Sequence, residues 1–302
     1  MSIQATAGAR QNGVATMSSQ SAVEKATLGW LRDFYKESCG LTCRDSNLEE
    51  QLRGVDLWLG GVFNDVGVDA KMDTYTSGNI MLEVISQDRG NASRQTPAVG
   101  WWFKDMPWVA YTFVRSGQVV HIDMEKAYPW LGEQLSLALD EFEAHGTFDS
   151  KKHGFDMFGT PNRSYITYNL RFSIAKFLAQ CPGAYYTDIR DAVSAKAQEN
   201  ALSQLYYNKV RGEAAQTAFR PPMFVGAAPR TLPAAGFAEA IAESCAFYVK
   251  PAPDAEKLER LLRLFERHAG FKNDPAVKAR GKELQAARVR RTLACDNDAA
   301  AA

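Results

Sequence analysis

The sequence has no excess of charge of either sign and no long hydrophobic run. Its 35 basic and 35 acidic side chains balance, which weighs against a protein coated with basic charge for nucleic-acid binding but leaves room for a local basic groove. No apolar run reaches the roughly 18 residues that a membrane span needs, and the N-terminus lacks a basic-then-apolar signal pattern. We therefore expect a cytoplasmic protein without a membrane partner.

Metal-binding and redox motifs are also scarce. The five cysteines are an odd number and widely scattered, and Cys39 and Cys43 lack a second pair at zinc-site spacing, so we expect free thiols in a reducing compartment. The four histidines form no metal-binding spacing, and we expect them on the surface or in loops. There is no Walker loop, dinucleotide fingerprint or nucleophile elbow.

What the chain does contain is an ordinary globular composition with a pattern of helices and strands. We predict an α/β core over residues 21–182, a mostly helical C-terminal region over residues 183–296, and disordered tails at residues 1–20 and 297–302. The predicted elements of the core are a helix at Ala22–Ser38, strands at Gly54–Leu59, Val66–Met72, Ile80–Ile85, Trp108–Val114 and Val119–Ile122, a helix at Leu131–Ala144, a strand at Tyr165–Ile174 and a helix at Ala175–Leu178. The predicted C-terminal helices are Ile189–Glu213, Ala234–Phe247, Asp254–His268 and Pro275–Leu293.

Two aspartates lie inside apolar strands, where burial of an acidic side chain is unfavourable. Asp56 lies among Val55 and Leu57, and Asp69 lies between Val68 and Ala70. Strand side chains alternate between faces, so Asp69 and Lys71 share one face. If the strand at Asp56 is the hairpin neighbour, its carboxylate projects toward the same spot. Buried charges require a partner or a metal, whereas D-x-K alone occurs by chance in most proteins.

This set of groups suits phosphodiester cleavage. Two converging carboxylates supply the hard oxygen ligands that Mg²⁺ prefers, and they leave positions for water and a phosphate oxygen. The ammonium can orient the attacking water or stabilise negative charge in the transition state. The sequence therefore predicts a Mg²⁺ site, in which Mn²⁺ can substitute, with structural aspartates as the open alternative.

The spacing of these residues resembles the PD-(D/E)XK nuclease superfamily, which has the restriction-endonuclease-like fold. The matching segments are Gly54-Val55-Asp56, Val68-Asp69-Ala70-Lys71 and Thr76-Ser77-Gly78-Asn79-Ile80-Met81-Leu82-Glu83. The resemblance implies that Asp56 and Asp69 are metal ligands, that the Ala70 backbone carbonyl is a further ligand, and that Lys71 is the catalytic lysine. The chain departs from the family pattern at Val55, where the motif has proline.

The resemblance also implies further site residues. Glu83 matches an extra catalytic acid on the following strand, whereas Gln51 and Glu24 match auxiliary residues near the first acid and on the first helix. Outside the motif, a basic loop and a nearby arginine are candidates for nucleic-acid contacts, and a solvated loop without such contacts is the open alternative. Those residues are Lys151, Lys152 and Arg163.

The resemblance implies a fold that consists of a helix, a mixed central sheet of four to six strands and flanking helices. The function is that of a Mg²⁺-dependent endodeoxyribonuclease of phage, plasmid or restriction and defence origin. A homodimer is expected by analogy, because two sites are needed to cut two strands. Two alternatives stay open: an inactive nuclease-fold protein that binds nucleic acid or protein, and a helical C-terminal region that recruits a protein partner.

Overall fold

The computed structural model describes residues 23–60, 65–74, 78–88, 98–103, 106–146, 148–161, 165–209, 219, 230–244, 256–257 and 259–265. Arg163, the predicted helix Pro275–Leu293 and both predicted tails lie outside these residues. Within the described part of the chain, no helix is long and apolar enough to cross a membrane.

The first helix, α1, forms where the apolar spacing predicts it. It is an α-helix over residues 23–33 and continues as a π-helix over Phe34–Ser38. Trp30 and Leu31 are fully buried on its inner face. Gly40, at φ 67°, follows the end of the helix, where glycine commonly terminates helices.

Ten strands occur in the described residues. They are β1 (Thr42–Asp45), β2 (Leu57–Gly60), β3 (Asp65–Asp73), β4 (Asn79–Asp88), β5 (Ala98–Val99), β6 (Trp108–Phe113), β7 (Gln118–Asp123), β8 (Asp156–Pro161), β9 (Tyr165–Ser173) and β10 (Ala184–Asp188). The helices are α2 (Leu48–Leu52), α3 (Met124–His145), α4 (Ser150–His153), α5 (Ile174–Gln180), α6 (Ala195–Lys209) and α7 (Ala234–Glu243), with helical residues at 256–257 and 259–265 and 3₁₀ turns at Trp101–Phe103 and Arg190–Ala192.

Six strands form one mixed sheet in the order β1-β2-β3-β6-β7-β10. β3 and β6 are parallel, and every other neighbouring pair in this sheet is antiparallel. The predicted α/β class with a mixed central sheet is therefore confirmed. The parallel pair needs a long crossover between β3 and β6, and the chain between them includes β4 and β5.

One face of the six-stranded sheet carries a large apolar core. Side chains from the strands pack there with α1 and α7 because alternation turns every second strand residue to that face. The buried members include Trp30, Leu31, Phe34, Leu57, Leu59, Val66, Val68, Ala70, Trp108, Ala110, Phe237 and Ile241. β3 is therefore a central strand with a fully apolar side, and its acidic residues lie on the other side.

The chain divides into two compact units, and neither is a consecutive segment. The first contains residues 1–80, 103–134 and 172–252, which include the six-stranded sheet. The second contains residues 81–102, 135–171 and 253–302. It includes most of a four-stranded sheet in the order β5-β4-β9-β8 and an ion pair between Arg260 and Glu143 at 2.6 Å.

Several elements differ from the sequence predictions. The strands β1, β5, β8 and β10 were not predicted. β10 joins the six-stranded sheet beyond residue 182, where the sequence suggested that the core ends. The helix predicted from Ile189 begins only at Ala195. Lys151 and Lys152 lie in a short helix, not in a loop, because the Asp149 side chain caps its first N–H groups.

His121 is not the surface histidine that its lack of metal spacing suggested. It is fully buried on β7, with Nε2 3.0 Å from the Tyr35 hydroxyl and Nδ1 3.0 Å from Oγ1 of Thr187. Burial lowers the pKa of His121 to about 3 because the interior disfavours the charged ring. The ring is therefore a neutral core residue.

Candidate active site

Asp56 lies at the point where β2 begins to pair with β3. Gly54, at φ 94°, gives the turn that only glycine adopts easily, and the chain then runs toward β3. The Asp56 N–H donates to the Val68 carbonyl at 2.9 Å. Its carboxylate Oδ2 accepts from the Ala70 N–H at 2.8 Å. The Asp56 side chain thus accepts the hydrogen bond of the Ala70 N–H, which a backbone carbonyl of β2 would otherwise accept.

Gln51 supports the backbone that carries Asp56. Its side-chain amide donates to the Ser46 carbonyl at 3.0 Å, and the Ser46 N–H donates to the Asp56 carbonyl at 3.1 Å. The hydrogen bond made by the Gln51 side chain is therefore to the loop before α2 and not to the Asp56 carboxylate. The auxiliary role of Gln51 in the site stays a prediction.

Asp69 and Lys71 share one face of β3, as alternation predicts. Lys71 Nζ donates to Asp69 Oδ1 at 2.6 Å. The Asp69 side chain is only 1% exposed, whereas that of Lys71 is 29% exposed. Asp69 Oδ2 is buried and has no hydrogen-bond donor among the described residues. A buried carboxylate oxygen without a donor is costly, so this atom is suited to an additional ligand.

The Asp56 carboxylate lies close to Asp69, because it accepts from the N–H of Ala70, the residue that follows Asp69, and it affects the ionisation of Asp69. Burial raises the pKa of Asp69 from 3.8 to about 7; the Lys71 ammonium lowers this pKa, and the nearby Asp56 carboxylate raises it again. Like charges that share a site disfavour simultaneous ionisation unless a cation neutralises them. Strongly shifted acids of this kind are concentrated at functional sites.

The residues fit a divalent cation with hard oxygen ligands. The described residues contain no cluster of three His, Cys, Asp or Glu side chains placed to hold a metal. A Mg²⁺ site does not need three, because waters and substrate phosphate normally complete its octahedron. The Ala70 N–H donates to Asp56. The Ala70 carbonyl lies on the same side of β3 as this N–H, because both backbone groups of a strand residue face the same neighbouring strand.

Other predicted residues belong to other elements, and their roles stay predictions. Glu83 is on β4, which belongs to the four-stranded sheet. Glu24 is exposed on α1, and α1 packs against the apolar face of the sheet, opposite Asp69. Lys151 and Lys152 are exposed on α4, where Lys152 pairs with Glu141 at 3.1 Å.

Two residues near the site were missed. Asp73 continues the alternation after Asp69 and Lys71, and its side chain is nearly buried. Tyr111 lies beside Lys71 in the register of β3 and β6, and its hydroxyl donates to Asp73 Oδ2 at 3.2 Å. The pattern D-x-K-x-D was the signal in the sequence for Asp73. The strand that carries Tyr111 was predicted, but its pairing with β3 was not.

The chain matches no protein-family model, no curated protein and no solved structure.

Proposed function

We propose that this chain is a Mg²⁺-dependent nuclease that hydrolyses phosphodiester bonds in DNA and has a restriction-endonuclease-like core. The observation that carries the proposal is the convergence of Asp56 with the buried Asp69, whose Oδ2 has no donor among the described residues. Lys71 lies beside them on the same strand face.

Each of these residues has a distinct role in the proposed mechanism. Asp56 and Asp69 hold the cation, with the Ala70 carbonyl on the same strand edge. When bound, the cation polarises the phosphate and lowers the pKa of a bound water. Lys71, which is partly exposed, places a positive charge where a phosphate oxygen develops negative charge during cleavage. The apolar packing behind β3 keeps these groups in place.

The fold supports this proposal in a general way. The acids lie on a central strand of a mixed sheet, so their backbone is held on both sides by β2 and β6. Sites built on strands hold catalytic groups more precisely than sites on loops.

The first test is cleavage of supercoiled plasmid and branched DNA by the full-length protein with Mg²⁺ and with EDTA. We expect wild type to cleave only with the metal, and Asp69→Asn to lose at least about 10³-fold in rate because a ligand is lost. Lys71→Met should lose about 10²–10³-fold. Asp65→Asn is the matched control, since Asp65 is an exposed acid on the same strand and should cleave at the wild-type rate.

The rival interpretation is a nuclease-fold protein that binds but does not cut. The Lys71–Asp69 ion pair would then serve only to neutralise a buried acid. Calorimetry distinguishes the two: Mg²⁺ binding that requires Asp56 and Asp69 supports the proposal, and absence of binding supports the rival. The homodimer, the protein partner and the contacts by Lys151 and Lys152 stay predictions.

A further inference from the structure

Lys71 lies midway between two aspartates on one strand face. Asp69 and Asp73 are each two residues away, which places their Cα atoms about 7 Å from that of Lys71 on either side. Lys71 Nζ contacts Asp69, and Asp73 accepts from the Tyr111 hydroxyl. Tyr111 is also the register partner of Lys71 on the next strand. The flexible lysine side chain is therefore long enough to reach either acid.

We infer that Asp73, held by Tyr111, is a positioning residue that receives the Lys71 ammonium when a divalent cation occupies Asp56 and Asp69. This inference rests on the proposed metal site. It adds a second position for Lys71, which the proposed function by itself does not include.

The physical reason is competition for Asp69. In the structure, the ammonium donates to Asp69 Oδ1 at 2.6 Å. A divalent cation at Asp69 competes for the same carboxylate and repels the ammonium, since like charges a few ångströms apart interact strongly where water is scarce. Asp73 is the acid on the opposite side of Lys71 on that face, and its burial strengthens its attraction for a cation.

The rival role for Asp73 involves Arg115. Arg115 Nε donates to the Thr74 carbonyl at 2.8 Å, which places a guanidinium close to the end of β3. If Asp73 instead interacts with this arginine, its contribution to Mg²⁺ binding does not depend on Lys71. A double-mutant cycle separates the two roles, because coupling between two residues appears only as a departure from additivity.

The experiment measures Mg²⁺ binding alone, by calorimetry at pH 8, to full-length wild type, Asp73→Asn, Lys71→Met and the double variant. Removing a nearby negative charge weakens cation binding somewhat in both backgrounds. We expect the loss caused by Asp73→Asn to be at least about fivefold greater when Lys71 is present than when it is methionine. Lys71→Met alone should tighten Mg²⁺ binding, since it removes the competitor.

Each outcome decides the question. An equal loss in both backgrounds, or no loss in either, would overturn the inference while leaving the metal site intact. Failure of wild type to bind Mg²⁺ would instead refute the proposed function. Should Asp73→Asn not fold, Tyr111→Phe replaces it in the same cycle, because it removes only the hydroxyl that holds Asp73. A smaller coupling of the same sign is then expected, and additivity would again contradict the inference.

Discussion

The buried carboxylate of Asp69 should contribute less to the stability of the metal-free protein at neutral pH than at acidic pH. Its pKa is raised from 3.8 to about 7, and each pH unit between these two values is worth about 1.36 kcal/mol. The ionised side chain therefore costs about 4 kcal/mol of folding free energy above pH 7. Asp69→Asn removes this cost because the amide has no charge, although it weakens the pairing with Lys71.

The sign follows from proton binding. Between about pH 4 and pH 7, the folded state holds a proton on Asp69 that the unfolded state has already lost. Stability therefore falls as pH rises through this window. Below pH 4 both states are protonated, and above pH 7 both are ionised, so the contribution is constant outside the window. The advantage of Asp69→Asn over wild type should thus grow by about 4 kcal/mol from pH 4 to pH 8.

The assay is urea unfolding in EDTA, followed by tryptophan fluorescence, at pH 5 and pH 8, and between these two pH values the advantage of Asp69→Asn should grow by about 3 kcal/mol. Asp65→Asn is the control: its exposed side chain on the same strand should change the free energy of unfolding by less than about 0.5 kcal/mol at either pH. If Asp69→Asn is equally or less stable than wild type at pH 8, or if its advantage does not change with pH, the reasoning about the buried charge is wrong.

Three further predictions use the same structure. Mg²⁺ affinity should rise up to about tenfold per pH unit below pH 7 and level off above it, since the metal requires ionised Asp69; a flat calorimetric profile from pH 6 to pH 8 would contradict this. Gly54→Ala should cost about 1–2 kcal/mol of stability, because φ is 94° there, and a neutral effect in urea unfolding would show that the turn adapts. His121 should stay neutral in NMR titrations down to about pH 4 and should cost about 2 kcal/mol of stability between pH 6.5 and pH 5, because only the unfolded state gains its proton.

The part of the site that alternation controls could be predicted from the sequence. Asp69 and Lys71 lie on one face because strand geometry has a period of two. The two strands that carry Asp56 and Asp69 are separated by only a few residues in sequence, and this separation favoured an antiparallel hairpin. The predicted position of Asp56 near Asp69 required only that β2 and β3 form this hairpin. These are local relationships, and the structure reproduces them.

Long-range pairing could not be predicted. Whether a strand such as β4 joins β3 or forms another sheet depends on partners distant in sequence, and Glu83 is therefore in the four-stranded sheet. The same reason explains why β10 was missed: its hydrogen bonds come from β7, more than 60 residues earlier. His121 was expected on the surface or in a loop because of its residue type. Its apolar neighbours on the strand instead favour the buried position that it has.

The balance between stability and function gives the strongest argument for a ligand at Asp69. A neutral residue of similar size would remove the cost of the buried charge, and replacing a buried ion pair by apolar residues is often neutral or stabilising. The chain instead places a second acid, Asp56, where it raises the pKa of Asp69 further. A protein that needed only a stable strand would gain nothing from this arrangement. A cation shared by both carboxylates reverses the sign of their interaction, from repulsion to joint coordination, and so accounts for both acids at once.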